Sequence, residues 1–551
     1  MESTSVLIIG AGPTGLMLAL ELARLQVPFR LLEAQSLSKP NFQSRALNLH
    51  PRTLELLARH DISQDLINAG SKVCNVRLFA GRNLCTEIGF PGRLMNDTAF
   101  PNAIISNQSL VEKILLKKLE EYGGKIELGS KLERLEMKKF EQGVTAWVRH
   151  LSSDEDQTKC QDGIEEVVQS RYIVGCDGAH SLVRNLAGIE FTGNSHPQEF
   201  ILADAYVDWE HKRCPHLFMD YGFTAFFPLN DDNKYRIFCQ RTKSLSNTTS
   251  LNVTLDDFGP EIAALVPGYT RIHSPSWISE FHLHSRIANT YRVQSIFLAG
   301  DAAHIHTPVG GQGMNLGMQD SVNLAWKLAR VLHRTAPASI LDSYDAERRP
   351  VASAIIRGTD RVFSVFSTTN PLKVWLRNFL FRWILPWLCI YNGLDKNMRN
   401  MSQLDIRYSK SPAVGTATKW KGVLRGGDRA PEGWIKNCQG QTVTLQKLWR
   451  APVDHLVLFC SSINPQIADD IEKDFREWAS PNSNVLKIYY SSLTDKVSRD
   501  DYIDPDGKAH SLYQFSEPGY VLVRPDGHIS YIGALTSLGE LRIWMQKQAN
   551  S

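Results

Sequence analysis

The strongest constraint on this chain is a run of glycines set between a strand and a helix. Val6 to Ile9 is a short β-branched apolar run, Gly10-Ala11-Gly12-Pro13-Thr14-Gly15 follows, and Leu16, Ala19, Leu20, Leu22 and Ala23 then recur at helical spacing. The first glycine of such a run permits a tight turn, the second a close backbone approach to a pyrophosphate, and the third close packing of helix on strand. A second apolar run, Phe29 to Leu32, ends in Glu33. A carboxylate there accepts a hydrogen bond from a ribose 2′-OH and repels a 2′-phosphate. The pattern predicts an α/β, Rossmann-like unit that holds NAD or FAD through Gly10, Gly12, Gly15 and Glu33, and it excludes NADP from that site.

The stretch from Ile296 to Leu328 has the form of a second cradle. Ile296 to Ala299 reads as a buried strand, Asp301 stands at its carboxyl end, Pro308 to Gly313 is a glycine-rich loop, and a helix begins near Met314. An acid at a strand end can bind a polyol, the loop N–H groups can approach a planar ligand, and the helix dipole turns its positive end into the loop. Something electron-rich fits there. A third strand-to-helix turn, Tyr172 to Arg184, carries Gly175-Cys176-Asp177-Gly178.

Between Phe191 and Tyr291 the texture changes to strands without long helices between them: Phe200 to Asp208, His216 to Tyr221, Thr224 to Leu229, Tyr235 to Arg241 and Ser279 to Arg286. This block reads as a mostly antiparallel sheet inserted into the dinucleotide-binding unit. The expected organisation is therefore a discontinuous unit over 1–190 and 292–400, a sheet unit over 191–291, a linker over 401–435 rich in glycine and proline, and a compact α/β unit over 436–551.

Bulk properties narrow the partners. With 61 basic against 58 acidic residues the net charge is +3, which gives no electrostatic case for nucleic acid or a membrane surface. The nine cysteines show no CxxC and no metal-type spacing, as expected of reduced thiols in a cytoplasmic protein. No basic leader or cleavage site precedes the first strand, so sequons such as Asn247 carry no expected glycan. The apolar segment Trp375 to Leu394 is interrupted by Arg377, Arg382 and Pro386, which predicts a buried or interface helix pair rather than a span. The pairs His304/His306 and His282/His284 lack a third ligand at suitable spacing, so no metal is expected.

Taken together, the glycine fingerprint, the stretch Gly175 to Arg184 and the stretch around Asp301 resemble the FAD-dependent aromatic hydroxylases of the para-hydroxybenzoate and phenol hydroxylase type. Arg45, Gln108, Trp277-Ile278-Ser279 and Arg286 fit the same resemblance, which runs in order from residue 1 to about 350. The C-terminal part, from Gly427-Asp428-Arg429-Ala430-Pro431 to Val521 through Gly527, is similar to the thioredoxin-like domain of larger members, among them polyketide-tailoring hydroxylases. No CxxC is present, so a structural or dimer-contact role is expected, and Cys438 and Cys460 are not a redox pair.

The resemblance implies bound FAD, with Glu33 on the adenosine ribose, Arg45 and Gln108 near the phosphates and ribityl chain, Asp301 on the ribityl, and Pro308, Gly311, Gly313, Met314 and Asn315 along the isoalloxazine ring. Asp177 is implied in contact with FAD and with transient NADPH or NADH. The implied reaction is NAD(P)H-driven hydroxylation of an aromatic ring by O2 through a flavin hydroperoxide. Related chemistry on the same cradle, epoxidation or Baeyer–Villiger insertion, stays open, as does a non-catalytic flavin-bound interaction protein. Ionising a phenol of pKa near 10 at neutral pH costs about 4 kcal/mol, so a base or cation should face the substrate. The candidates are His216, Tyr221, Arg236 and His282, with Met219, Phe226 and Phe227 as wall. Leu47 stands where the phenol hydroxylase branch has an acid, which favours a larger aromatic or polyketide substrate over a simple phenol. A homodimer is compatible with this reading.

Overall fold

The computed structural model describes residues 2–35, 46–89, 95–137, 143–151, 164–220, 222–241, 254–268, 270–390, 395–461, 463–479, 483–490 and 501–550. Arg45, Tyr221, Asn247 and the acidic stretch Asp154 to Asp156 lie outside the described residues.

Three large sheets organise the chain. In the first, Ile296–Leu298, Ile164–Gly175, Glu2–Ile9, Phe29–Glu33 and Glu127–Leu128 run parallel in that order. Parallel strands buried on both faces read as continuous apolar runs, and Val6, Leu7 and Ile8 are accordingly fully buried. The register places Ile9 opposite Gly175 and Gly175 opposite Leu298. The three glycine-bearing turns of the sequence therefore end at one edge, the carboxyl edge, where open α/β sheets bind ligands.

The second sheet has eight strands, ordered His304–Ile305, Arg271–Ala288, Phe191–Asp208, Lys234–Gln240, Gly222–Pro228, His216–Asp220, Asn75–Ala80 and Asn83–Gly89. It is antiparallel except where His216–Asp220 runs beside Asn75–Ala80. The sheet thus draws its last two strands from before the block expected to form it. Two faces follow from strand alternation. One carries Ile201, Ala203, Phe218, Phe226, Ile237 and Cys239 and is covered by the Leu255–Leu265 helix. The other carries Phe200, Leu202, Met219, Phe223, Ala225, Phe238 and Leu283 and packs with Val309 of the glycine loop and with Phe363, Phe366 and Phe381 of the following helices.

The third sheet is mixed and seven-stranded, with His455–Ser461 parallel to Asn484–Tyr490 and antiparallel to Gly519–Val523. The stretch expected as a linker before it is a packed connection. Gln403, Tyr408 and Glu432 are buried, and a Cβ at Gly426 would lie 2.2 Å from Gly415 O. These glycines serve close backbone approach, not chain freedom.

A buried charge network joins the third sheet to the first unit. Arg524 donates to Glu347 at 2.7 and 3.0 Å and to Asp526, while Lys327 donates to Glu347 at 2.8 Å and Ser411 to the same carboxylate at 2.6 Å. Arg52 of the Pro51–Leu57 helix donates to Asp526 O at 2.7 Å, and Arg59 to Pro525 O. Among the described residues no helix is long and apolar enough to cross a membrane.

Candidate active site

Two long helices begin at the carboxyl edge of the first sheet: Pro13–Arg24 and Gly313–Leu332. Neither has a side-chain cap on its N-terminus, so first-turn N–H groups remain available to an anionic or electron-rich ligand. The helices are pinned to each other by Thr14. A Cβ at Gly300 would lie 2.5 Å from Thr14 Oγ1 and one at Gly317 2.3 Å from it, and Ser321 Oγ donates to Thr14 O at 2.7 Å. Only glycines allow this approach.

The three glycines of the fingerprint have different surroundings. Gly10 has φ +99° and its Cβ would meet Cys176 O at 2.5 Å, and a Cβ on Gly15 would meet Gly10 O at 1.9 Å. A Cβ on Gly12 would meet nothing within 4 Å. The middle glycine faces open space, as backbone that must admit a pyrophosphate does. Glu33 closes the turn: its Oε2 accepts Ala11 N at 2.9 Å and its Oε1 accepts Gln35 N at 3.0 Å. Gln108, at the start of the Gln108–Glu121 helix, accepts from Ala46 N at 3.3 Å and donates to Glu112 at 2.8 Å. Burial, and after it the nearby Glu33 charge, raises the Glu112 carboxyl above its ordinary range.

Asp301 stands exposed just beyond Ile296–Leu298, with no hydrogen-bond partner among the described residues. Asp177 is different. Its carboxylate accepts Ser181 Oγ at 2.6 Å and the N–H groups of Leu182 and Val183 at 2.7 and 3.1 Å, so it caps the Leu182–Leu186 helix. Arg184 then donates to Ala302 O at 2.9 Å and ties this turn to the Asp301 loop.

The glycine loop is held from beneath. Asn315 donates to Asn48 O at 2.8 Å and Gly311 O at 2.9 Å, and its Oδ1 accepts His50 N at 2.8 Å. His50 Nε2 donates to Gly310 O at 2.8 Å, and burial lowers this imidazole to about 4, so it is neutral. Gly310 and Gly311 have φ of +76° and +63°, which a side chain would strain. Deeper, Asp320 accepts His304 Nε2 at 2.7 Å, Arg348 Nε at 2.6 Å and Gly300 N at 3.1 Å. Asn315 was legible as a loop residue. His50, Asp320 and Arg348 were not, because their partners are 16 to 265 positions away. Pro308 is exposed and Met314 half-buried against the core.

Three buried polar atoms around the loop lack partners among the described residues: Asn48 Oδ1, His306 Nε2 and Thr307 Oγ1. A Cβ on Gly313 would lie 3.3 Å from His306 Nε2. Unpaired buried polar groups cost stability unless a ligand satisfies them. A tricyclic ring with a hydrogen-bonding edge fits this donor and acceptor set, an open Gly12, and a free carboxylate at Asp301.

The proposed substrate residues separate by face. Arg236 lies on the face toward the loop but is engaged: it donates to both oxygens of Asp204 at 2.7 and 2.8 Å, with Trp277 Nε1 donating to the same carboxylate at 3.0 Å and Arg236 Nη1 reaching Ala46 O at 3.4 Å. His216 is on the opposite face. Its ring packs 4.9 Å from Trp209 and 6.0 Å from Phe79, its Nδ1 donates to Cys214 O, and burial lowers it to about 4. The alternation that puts Met219 on the inner face puts His216 with Phe218 on the outer one, so His216 points away from the glycine loop. Phe226 is likewise an outer-face residue, whereas Phe227 lies inward. His282 is exposed. Among the described residues no cluster of three His, Cys, Asp or Glu groups could hold a metal ion.

These features define a flavin dinucleotide-binding oxidoreductase, with one wall built from glycine-lined helix starts and the other from an aromatic sheet. A family model described as an FAD binding domain matches residues 3–359. A rifampicin monooxygenase of Streptomyces venezuelae is 35% identical over 367 residues, covering 66% of this chain and 72% of that protein. A 6-methylpretetramide 4-monooxygenase of Streptomyces rimosus is 30% identical over 552 residues, covering 97% and 91%. The solved structure of an anhydrotetracycline hydroxylase from Streptomyces rimosus superposes with a TM-score of 0.76 at 28% identity over 100% of this chain and 99% of that one. The chain belongs to the FAD-dependent aromatic monooxygenase family.

Proposed function

We propose that the protein hydroxylates a polycyclic, polyketide-type aromatic compound, with NADPH or NADH as electron donor and O2 as oxidant. The observation that carries this reading is the facing of the glycine loop by an apolar sheet surface, Val309 against Phe200, Met219, Phe223 and Phe238. Bound FAD supplies the redox and oxygen-activating chemistry. The protein's part is to hold, orient and keep dry. Loop N–H groups and the start of Gly313–Leu332 stabilise negative charge on the ring. The aromatic wall excludes water and stacks a flat substrate.

His306 is held beside the glycine loop as a neutral hydrogen-bond acceptor. Its Nδ1 lies 2.6 Å from Thr307 O and so carries the proton. That leaves Nε2 as the lone-pair acceptor, and burial keeps the ring neutral by lowering its pKa. Rifampicin, 6-methylpretetramide and anhydrotetracycline, the compounds named for the relatives, guide the substrate class. The purified holoprotein, given NADPH and a panel of phenolic polycycles, should yield products heavier by one oxygen atom. NADPH oxidation that is unstimulated by every panel member, with no oxygenated product, would overturn the reading.

A further inference from the structure

The Pro371–Trp383 helix is inverted. It buries Val374, Arg377 and Phe381 on one side, where Arg377 donates to Asp220 O at 2.7 Å and to Phe366 O at 2.9 Å. Its opposite side shows Leu372 at 74%, Trp375 at 64%, Leu376 at 48%, Phe379 at 45% and Trp383 at 64% exposure, with Trp375 and Phe379 stacked 5.8 Å apart. Of the twenty large apolar side chains exposed among the described residues, ten fall between Val362 and Trp387. Scattered exposed apolar residues need no explanation, but a concentration of this kind marks an interaction surface.

Charge selects the occupant. From Arg361 to Leu394 the chain has no acid, and its charged residues are Arg361, Lys373, Arg377 and Arg382. At about 100° per residue, Leu372, Trp375, Leu376, Phe379 and Trp383 form one stripe, and Lys373 and Arg382 fall on its two flanks. An apolar stripe with tryptophan, bordered by long cationic side chains, is the pattern of a helix lying in the plane of a bilayer, its cations reaching up to anionic headgroups. A second copy of the chain suits it less well. Across a two-fold axis the patch would meet itself and set its cations against each other with no acid to pair them.

We infer that this helix docks the protein onto an anionic lipid bilayer surface, with Trp375, Leu376, Phe379 and Trp383 entering the headgroup boundary and Lys373 and Arg382 contacting lipid phosphates. The buried side of the same helix packs against the inner sheet face through Phe381, so docking leaves one helix between the lipid surface and the proposed substrate wall. The inference does not depend on the reaction.

Flotation of the FAD-loaded protein with phosphatidylcholine vesicles, and with vesicles also containing phosphatidylserine, tests it. The expected result is binding to the anionic vesicles that weakens as salt is raised. Binding should be at least about tenfold weaker in Lys373→Glu/Arg382→Glu and in Trp375→Ser/Phe379→Ser/Trp383→Ser. The flavin spectrum of both variants should match the parent, which separates lost docking from lost folding. No binding to anionic vesicles, or binding that both variants retain, overturns the inference. So does a parent that is dimeric by light scattering and becomes monomeric in the Trp375→Ser/Phe379→Ser/Trp383→Ser variant, since that makes the second copy the occupant.

Discussion

Two glycines three positions apart make opposite demands. Gly12 faces open space and Gly15 faces Gly10 O, so a valine should act differently at each. Gly12→Val is expected to fold with a melting temperature within a few degrees of the apo parent yet bind FAD at least tenfold more weakly, as read by flavin fluorescence titration. Gly15→Val should fail to give soluble protein. Asp301→Ala should also release flavin, since the carboxylate is exposed and makes no internal hydrogen bond among the described residues; unchanged FAD affinity would refute its assigned role. A different residue sets a pH dependence. Glu432 is buried, one oxygen accepting Gly433 N and Gln446 N at 3.0 and 3.1 Å and the other without a partner, and burial pushes its carboxyl up to about 8. Between its unfolded value near 4.5 and about 8 the folded state binds more protons than the unfolded one, so this group lowers stability as pH rises through that window. Glu432→Gln should therefore gain stability relative to the parent between pH 5 and pH 8, by up to a few kcal/mol, measured by denaturant unfolding at each pH.

At the level of elements, the glycine loop keeps its shape because Asn315 grips it from the helix that follows. Asn315→Leu removes three hydrogen bonds to buried backbone and should cost about 2 to 4 kcal/mol, with FAD affinity falling alongside thermal stability. The strand, turn and helix that carry the fingerprint were legible because their signals are local: turn glycines, an apolar run, an acid at the next strand end. Sheet faces were not. His216 and Met219 are three residues apart and take opposite faces, and parity of that kind is settled by pairing partners such as Phe226 and Arg77, which no local spacing reveals. The stretch before the third sheet misled for another reason: Gly415, Gly426 and Gly427 look like flexible linker in composition but are sites where backbones or rings nearly touch.

At the scale of the whole molecule, the third sheet is locked to the first unit by charges with no access to water. Glu347, Arg524 and Lys327 are each at or below 1% exposure. The cations hold the Glu347 carboxyl well below the usual range, against the opposing effect of burial. Breaking such a group by removing one member leaves an uncompensated buried charge. Arg524→Met should destabilise the protein by about 3 to 5 kcal/mol in chemical denaturation, whereas Arg524→Met with Glu347→Leu and Lys327→Met together should recover much of that loss. Recovery would show that the network specifies how the units dock more than how tightly they hold.

Thr14 sits wedged between Gly300 and Gly317, with no room on either side for one more carbon. The distance between the two helix starts is thus fixed by atoms that cannot be enlarged, while the facing sheet presents phenylalanine, methionine and leucine side chains that can be trimmed or swelled one at a time. A change of preferred compound in this scaffold has to be written on the sheet, and directed variation spent on the glycine side would select only against folding.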